Sequence, residues 1–315
     1  MLVSLVIPCY NEEEVLPILH DELSRVCGEL IKYEFEFLFV NDGSKDNTLG
    51  VLKTMAERDE RVVYLSFARN FGKEAAMYAG FCNAHGDYVA VMDADMQDPP
   101  SLLPEMLAIL EQGEYDSVAT RRASRKGEPR IRSFFARRFY KIINRISDAD
   151  VVDGARDFRL MRRDMVDAIV KMGEYNRFSK GIFGWVGFRT YWLSYDNVER
   201  AAGKTKWSFW KLFKYSIDGI VNFSQVPLSI ASWTGVTFTV ISFIMVLVVF
   251  FRRLFFGDPV AGWASTACII MFIGGVQLFC MGIMGQYLAK IYLETKHRPH
   301  FIISDTNRKD IDKIR

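Results

Sequence analysis

Between Gly219 and Phe251, and again between Pro259 and Ala289, the 315-residue chain carries no Asp, Glu, Lys or Arg. Two uncharged stretches of this length leave few choices. A helix rises ~1.5 Å per residue and a bilayer's hydrocarbon core is ~30 Å thick, so about 20 apolar residues cross it. Leu228 to Phe251 and Trp263 to Leu288 meet that length, with Arg252 to Gly262 as the link. A buried core helix explains either stretch alone but not comfortably the pair. A two-helix transmembrane hairpin over residues 228–290 is therefore expected.

Flanking cations orient it. Lys204, Lys206, Lys211 and Lys214 precede the first span, and Lys290, Lys296 and Arg298 follow the second, whereas the link holds only Arg252 and Arg253. Cations favour the cytoplasmic side, so both ends are expected there, in a multi-pass protein of the cell membrane. Trp207 to Tyr215 alternates aromatics with lysines, as interfacial segments do, making residues 201–227 a juxtamembrane region. Residues 291–315 form a cytosolic tail, charged from Ser304 onward and expected to be disordered. The hairpin also offers a surface for a second copy of the chain.

Up to about Asp218 the material is different, with charges dense along the chain. A formal net charge of +2 makes no case for nucleic acid. Five cysteines without a CxxC pair argue against a disulfide framework or zinc site and fit a reducing face. Met1 to Ile7 is apolar, but Pro8 cuts it short and no basic region precedes it, so no export signal is expected.

Residues 1–200 read as one α/β domain. Leu2–Ile7, Phe35–Val40, Val62–Ser66 and Tyr88–Met92 are apolar runs of strand length, each followed by a polar loop and then a helical segment. Glu12, Glu13 and Glu14 are expected to open the first helix, Thr48 to Arg58 to form the second, and Gln112 to Thr120 to hold the last strand. Such alternation predicts a parallel, doubly wound sheet, with the loops after strands one, two and four gathered on one edge. The fourth run ends in Asp93-Ala94-Asp95 and then Pro99-Pro100. Residues i and i+2 of an extended segment point the same way, so Asp93 and Asp95 converge beyond the strand's carboxyl end, where open sheets bind ligands. Hard carboxylate oxygens suit Mg²⁺ or Mn²⁺ held together with a substrate's phosphates. Neither G-x-G-x-x-G nor G-x-x-x-x-G-K-[ST] occurs in the chain, which removes the main support for dinucleotide and P-loop sites.

Five motifs, in order, carry a resemblance: Pro8-Cys9-Tyr10-Asn11-Glu12, Asn41-Asp42-Gly43-Ser44, Asp93-Ala94-Asp95-Met96-Gln97-Asp98-Pro99, Gly154-Ala155-Arg156-Asp157-Phe158-Arg159-Leu160-Met161 and Gly203-Lys204-Thr205-Lys206-Trp207. Together they resemble the inverting nucleotide-sugar glycosyltransferases of family 2, in the branch of dolichol-phosphate mannose synthases and bactoprenol glucosyltransferases. The resemblance implies a Rossmann-like GT-A domain with a mostly parallel sheet, followed by interfacial helices and two C-terminal transmembrane helices. It also implies transfer of one sugar from a nucleotide sugar, UDP-linked by preference, to a polyprenyl phosphate such as undecaprenyl phosphate. The product would be a lipid-linked donor for cell-envelope glycan modification. By the same resemblance, Pro8, Tyr10, Glu12 and Asp42 contact the nucleoside, and Asp95 binds the metal with Asp93, Ala94 and Gln97 beside it. Lys204 and Lys206 meet the phosphates, and Asp157 is the catalytic base. Cys9 stands where the family often has Thr or Ala, and Thr205 where Ser is common.

Arginines after the sheet, among them Arg122, Arg132 and Arg138, are candidates for the acceptor phosphate, since guanidinium groups fork onto phosphate oxygens. Within Ser133 to Ile146, Phe135, Phe139, Ile142 and Ile146 share one helical face while Arg137, Arg138, Lys141 and Arg145 lie elsewhere. That pattern suits an interfacial helix as well as a core-packed one. The base assignment meets a difficulty, because a phosphate monoester with its second pKa near ~6 is already mostly dianionic at neutral pH. Asp157 is therefore expected to orient an arginine or the sugar hydroxyls rather than to remove a proton. Two other functions compete: a processive polysaccharide synthase, whose Gln-x-x-Arg-Trp motif is absent, and a non-catalytic nucleotide-sensing scaffold, which leaves the aspartates without purpose. Glucose and N-acetylglucosamine lead the sugars, with mannose, galactose and aminoarabinose also open.

Overall fold

The computed structural model describes residues 1–122, 145, 152, 154–195, 221, 224–256, 262–309 and 311. The amphipathic segment 133–146 (Arg145 apart), Arg132, Arg138, Lys204, Lys206 and most of the juxtamembrane region lie outside the described residues.

Strand and helix alternate from the first residues, as β1 (Leu2–Cys9), α1 (Leu16–Gly28), β2 (Glu34–Asn41), α2 (Thr48–Arg58), β3 (Val62–Phe67), α3 (Lys73–Asn83) and β4 (Tyr88–Val91). A 3₁₀ turn at Pro100–Leu102 leads into α4 (Leu103–Glu111), then β5 (Ser117–Arg122), β6 (Ala155–Arg162), α5 (Arg163–Lys171), α6 (Ser179–Trp185) and β7 (Thr190–Tyr195). Two long helices, α7 (Val226–Phe256) and α8 (Trp263–Thr295), precede a final strand, β8 (Ile303–Thr306). The described sheet has eight strands in the order β7-β5-β6-β4-β1-β2-β3-β8. Strands β4, β1, β2 and β3 run parallel, while β6 and β8 pair antiparallel with their neighbours.

The central strands are mostly apolar because both faces are covered, with buried Ser4 donating to buried Glu36 as the polar exception between β1 and β2. Leu5, Ile7, Phe37 and Phe39 pack one face against α1, α2 and α4. Val6, Leu38, Val40 and Leu65 pack the other against α3 and α5. The β1–β2 register, Leu2↔Glu34 through Cys9↔Asn41, brings the carboxyl ends of these strands level. Chain order reverses between β1 and β4, opening a crevice at their ends. Along β1, the ladder with β4 covers only Val3–Val6. Pro8 therefore lies beyond that ladder, and its missing N–H costs no bond there.

Three expectations are corrected. The glutamates do not begin the first helix. Glu12 instead makes a turn, its carbonyl accepting from Val15 and Leu16, and α1 starts at Leu16 with Pro17 in its first turn. The segment ending at Thr120 is not the last strand, since β6, β7 and β8 all follow it in the same sheet. Nor is the tail disordered from Ser304: β8 pairs antiparallel with β3. Fully buried Phe301 stacks on Phe67 at 5.6 Å, Lys53 pairs with Asp305 at 2.6 Å, and Arg308 pairs with Glu36. Composition hid this because two of the tail charges, Asp305 and Arg308, find partners on α2 and β2.

α7 and α8 are long and apolar enough to cross a membrane, as expected from the sequence. They pack on each other through Phe238 and Phe272, rings 5.5 Å apart, and Cys280 against the Ala231 carbonyl. Their other sides are bare, with Trp233 71% and Leu278 70% exposed. The foot of α8 grips the α/β domain: Glu294 accepts the backbone N–H groups of Tyr175 (2.9 Å) and Asn176 (3.2 Å).

Candidate active site

Three loops lock together at the carboxyl edge of the sheet. Asn11 has φ +56°, and its amide donates to Ser44 Oγ (2.9 Å) while its own side chain accepts from the Lys45 amide (2.8 Å). Glu12 N–H donates to Thr48 Oγ1, and Glu13 accepts from the Asn47 amide at 2.7 Å. Gly43 sits at φ +63° with its α-carbon against the backbone of Arg69, where any side chain would collide. These contacts hold Tyr10 and Glu12, both partly buried, at the mouth of the crevice.

Asp42 is buried, with 4% exposure, and accepts from Phe71 N–H at 2.7 Å and Gly72 N–H at 3.0 Å. Burial pushes its pKa up to about 6, against the pull of those two amides and Arg69. The carboxylate expected at the nucleoside thus also fixes the loop after β3. That loop launches α3 and places Lys73 at its first turn.

Lys73 joins the two halves of the site. Its Nζ lies 2.5 Å from Asp93 Oδ1 at the end of β4 and 2.5 Å from Asp157 Oδ2 near the start of β6. The strand pairing Val91↔Arg159 brings these ends together, because β6 runs antiparallel to β4. Burial opposes ionisation of Asp157, but Lys73, Lys180 and Arg156 outweigh it and hold the carboxyl well below the usual range. The arginine expected at Asp157 is elsewhere. Arg156 Nε donates to buried Asp98 Oδ1 (2.8 Å), which also accepts from Tyr195 Oη (2.6 Å), and lysine takes the place at Asp157.

Beyond Asp93 the chain turns tightly. Asp95 Oδ1 accepts from Gln97 N–H at 3.2 Å, Met96 has φ +60°, and Ala94 is buried beneath. Gln97 Oε1 lies 3.5 Å from Arg156 Nη2. Arg122 ends β5, which runs parallel to β7 and antiparallel to β6, so it stands at this same edge. Among the described residues no three His, Cys, Asp or Glu side chains converge as a complete metal cage. Two carboxylates at the Asp93–Asp95 turn nonetheless fit Mg²⁺ or Mn²⁺, cations commonly held by one or two carboxylates plus substrate phosphates.

Sequence reasoning passed over Lys73, Lys180, Glu74 and Asp98. Lys73 was the findable one, since β3 runs parallel to β2 and its loop must reach the same edge as the others. Glu74, the next residue, accepts from Ser179 N–H at 3.0 Å and ties α3 to α6. Lys180 then reaches the Ala155 carbonyl at 3.1 Å. Those links are tertiary and leave no local pattern.

The switch-point crevice is thus edged by Asp93 and Asp95, with Lys73 joining Asp93 to Asp157. Residues 4–170 match the model of glycosyl transferase family 2, and the chain belongs to that family as a glycosyltransferase. It is 44% identical to the Bacillus subtilis (strain 168) protein CsbB over 97% of this chain and 92% of that one. It is 41% identical to the bactoprenol glucosyl transferase of Shigella phage SfV, over 98% of this chain and all of that protein. Among solved structures, mannosyl-3-phosphoglycerate synthase from Rubrobacter xylanophilus superposes with a TM-score of 0.47 at 18% identity, covering 70% of this chain and 72% of that one.

Proposed function

We propose that this protein transfers one sugar, glucose by preference and N-acetylglucosamine otherwise, from a UDP-sugar to undecaprenyl phosphate at the cytoplasmic face of the cell membrane. The observation that carries the reading is full-length similarity, at 41% identity, to a bactoprenol glucosyl transferase, with the apolar helix pair included. The geometry agrees: an edge suited to a water-soluble nucleotide sugar is tied through Glu294 to helices suited to lipid.

In this reading Tyr10, Glu12 and Asp42 line the nucleoside end of the crevice. A divalent cation held by Asp95 and Asp93, when bound, neutralises the departing diphosphate. Asp157, ionised and held by Lys73, fixes the sugar-facing side of the site. The acceptor phosphate attacks the anomeric carbon from the face opposite the nucleotide and inverts it. Because a dianionic phosphate needs no deprotonation, the chain's task is to gather cations around it, and Lys73, Lys180 and Arg156 are cations whose charge already acts on Asp157.

A donor screen against undecaprenyl phosphate, with the lipid product weighed by mass spectrometry, tests this. A single-hexose adduct from UDP-glucose is expected, with turnover lost in chelator and in Asp95→Ala. Release of UDP without a lipid adduct overturns the acceptor, and full activity in chelator overturns the metal.

A further inference from the structure

The short loop between β3 and α3, from Ala68 to Gly72, carries the donor edge of the site. Its Phe71 and Gly72 amides hold Asp42, and the next residue, Lys73, bridges Asp93 and Asp157. Loops with few buried contacts open locally at little cost, so what holds this one bears directly on the site.

Much of what holds it comes from the far end of the chain. Ala68 N–H donates to the Ile302 carbonyl at 2.9 Å, and Ser304 Oγ donates to the Ser66 carbonyl at 3.1 Å. Phe301, fully buried, stacks on Phe67 where the loop begins, with the rings 5.6 Å apart and 9° from parallel. The same ring meets Tyr78 of α3 at 6.3 Å. One side chain thus touches both elements that the loop joins. Phe67 packs in turn against Phe71, at 5.6 Å and 84°, and the Phe71 amide is the 2.7 Å donor to Asp42. Arg69 lies over the Phe71 ring at 4.1 Å. On the other side, His300 sits against Tyr78 (5.0 Å) and Tyr175 (5.6 Å), and the Tyr175 amide donates to Glu294 of α8. Contacts therefore run without a break from the foot of α8, through residues 300–302, to Asp42 and Lys73.

We propose that Phe301 is a positioning residue for the donor site, acting through Phe67 and Phe71 on the loop that sets Asp42 and Lys73. Pairing of β8 with β3 holds the tail on the sheet, and the ring fixes where β3 hands over to α3. A lysine 2.5 Å from each of two carboxylates has little slack, and a misplacement of ~1 Å in a site can cost about 10²-fold. The proposal rests on the donor reading above, in which this edge takes a UDP-sugar.

The test uses the full-length protein in detergent, with UDP as the probe. Phe301→Leu keeps an apolar side chain in the niche and removes the stacked ring. A residue that only stabilises the fold lowers the melting temperature without changing the UDP affinity of molecules that remain folded. Phe301→Leu should instead weaken UDP roughly 3- to 10-fold, the size of one lost aromatic contact, at a temperature where the variant is fully folded. Amide exchange, read by mass spectrometry on peptides covering residues 68–73, should speed up in the variant, while peptides of β1 keep their wild-type rates. If Phe301→Leu does not fold, His300→Ala, at the partly buried neighbour, should give both changes in smaller measure. Unchanged UDP affinity in whichever variant folds overturns the proposal and leaves the tail a stabiliser of the sheet. Exchange that rises equally in β1 overturns it too, because it marks general loosening. Wild type that binds no UDP sinks the donor reading instead, and exchange at residues 68–73 then decides the role of Phe301 by itself. Wild type that shows both effects yet transfers no sugar to a polyprenyl phosphate sinks the proposed function and leaves the role of Phe301 standing.

Discussion

At Asp157 two demands conflict. A general base must be able to take a proton near neutral pH, yet Lys73, Lys180 and Arg156 hold this carboxyl ionised far below that range despite its burial. The depressed pKa means that Asp157 stays charged from pH 6 to 8, so the carboxylate itself contributes no titration there. The acceptor phosphate, with a second pKa near ~6, does titrate across that window. Asp157→Asn should therefore lose activity by a similar factor at every pH from 6 to 8, because what it removes is the anchor for Lys73. An obligatory base predicts otherwise: the mutant's deficit would shrink steeply as the acceptor ionises unaided. Initial rates of both enzymes at saturating acceptor decide between them. The identity of the aspartate was legible in the sequence. Its partner was not, since Lys73 lies 84 residues away and meets it only through α3.

Among the elements, β8 departs most from its composition. Its segment is charged and short, features that read as a solvated tail, yet it closes the sheet at β3. The anchor is Phe301, fully buried, stacked on Phe67 and edge-on to Tyr78. Phe301→Ala should cost about 3–5 kcal/mol, the usual range for a buried aromatic, seen as a clear drop in the melting temperature of the detergent-solubilised protein. A melting temperature equal to wild type would mean that the strand does not hold the sheet. By contrast, β1 to β4 were readable almost to the residue. Each is a largely apolar run buried on both faces, as a strand covered on both sides tends to be.

For the whole molecule, the proposed reading puts both chain ends in the cytoplasm, on the strength of the cation count around α7 and α8. In a background with the native cysteines replaced, a membrane-impermeant thiol reagent applied from outside should label a cysteine at Asp258 and miss one at Lys309. The reverse pattern would invert the topology, and labelling of both would remove the hairpin. The contact of Glu294 with Tyr175 and Asn176 bears on the same question, because it fixes the foot of α8 to the α/β domain and so keeps that domain on the side of residue 294.

Local sequence alone determined the alternating strands, the aspartate pair at the end of β4 and the two apolar helices. Each follows from the period and length of an apolar run or from residues adjacent in the chain. Tertiary structure decided what those residues do to one another. The antiparallel return of β6 against β4 puts Asp157 beside Asp93, α3 sets Lys73 between them, and α6 with β7 encloses Arg159. Charge pairing across such distances depends on which strands become neighbours, and no short-range pattern in a chain records that order.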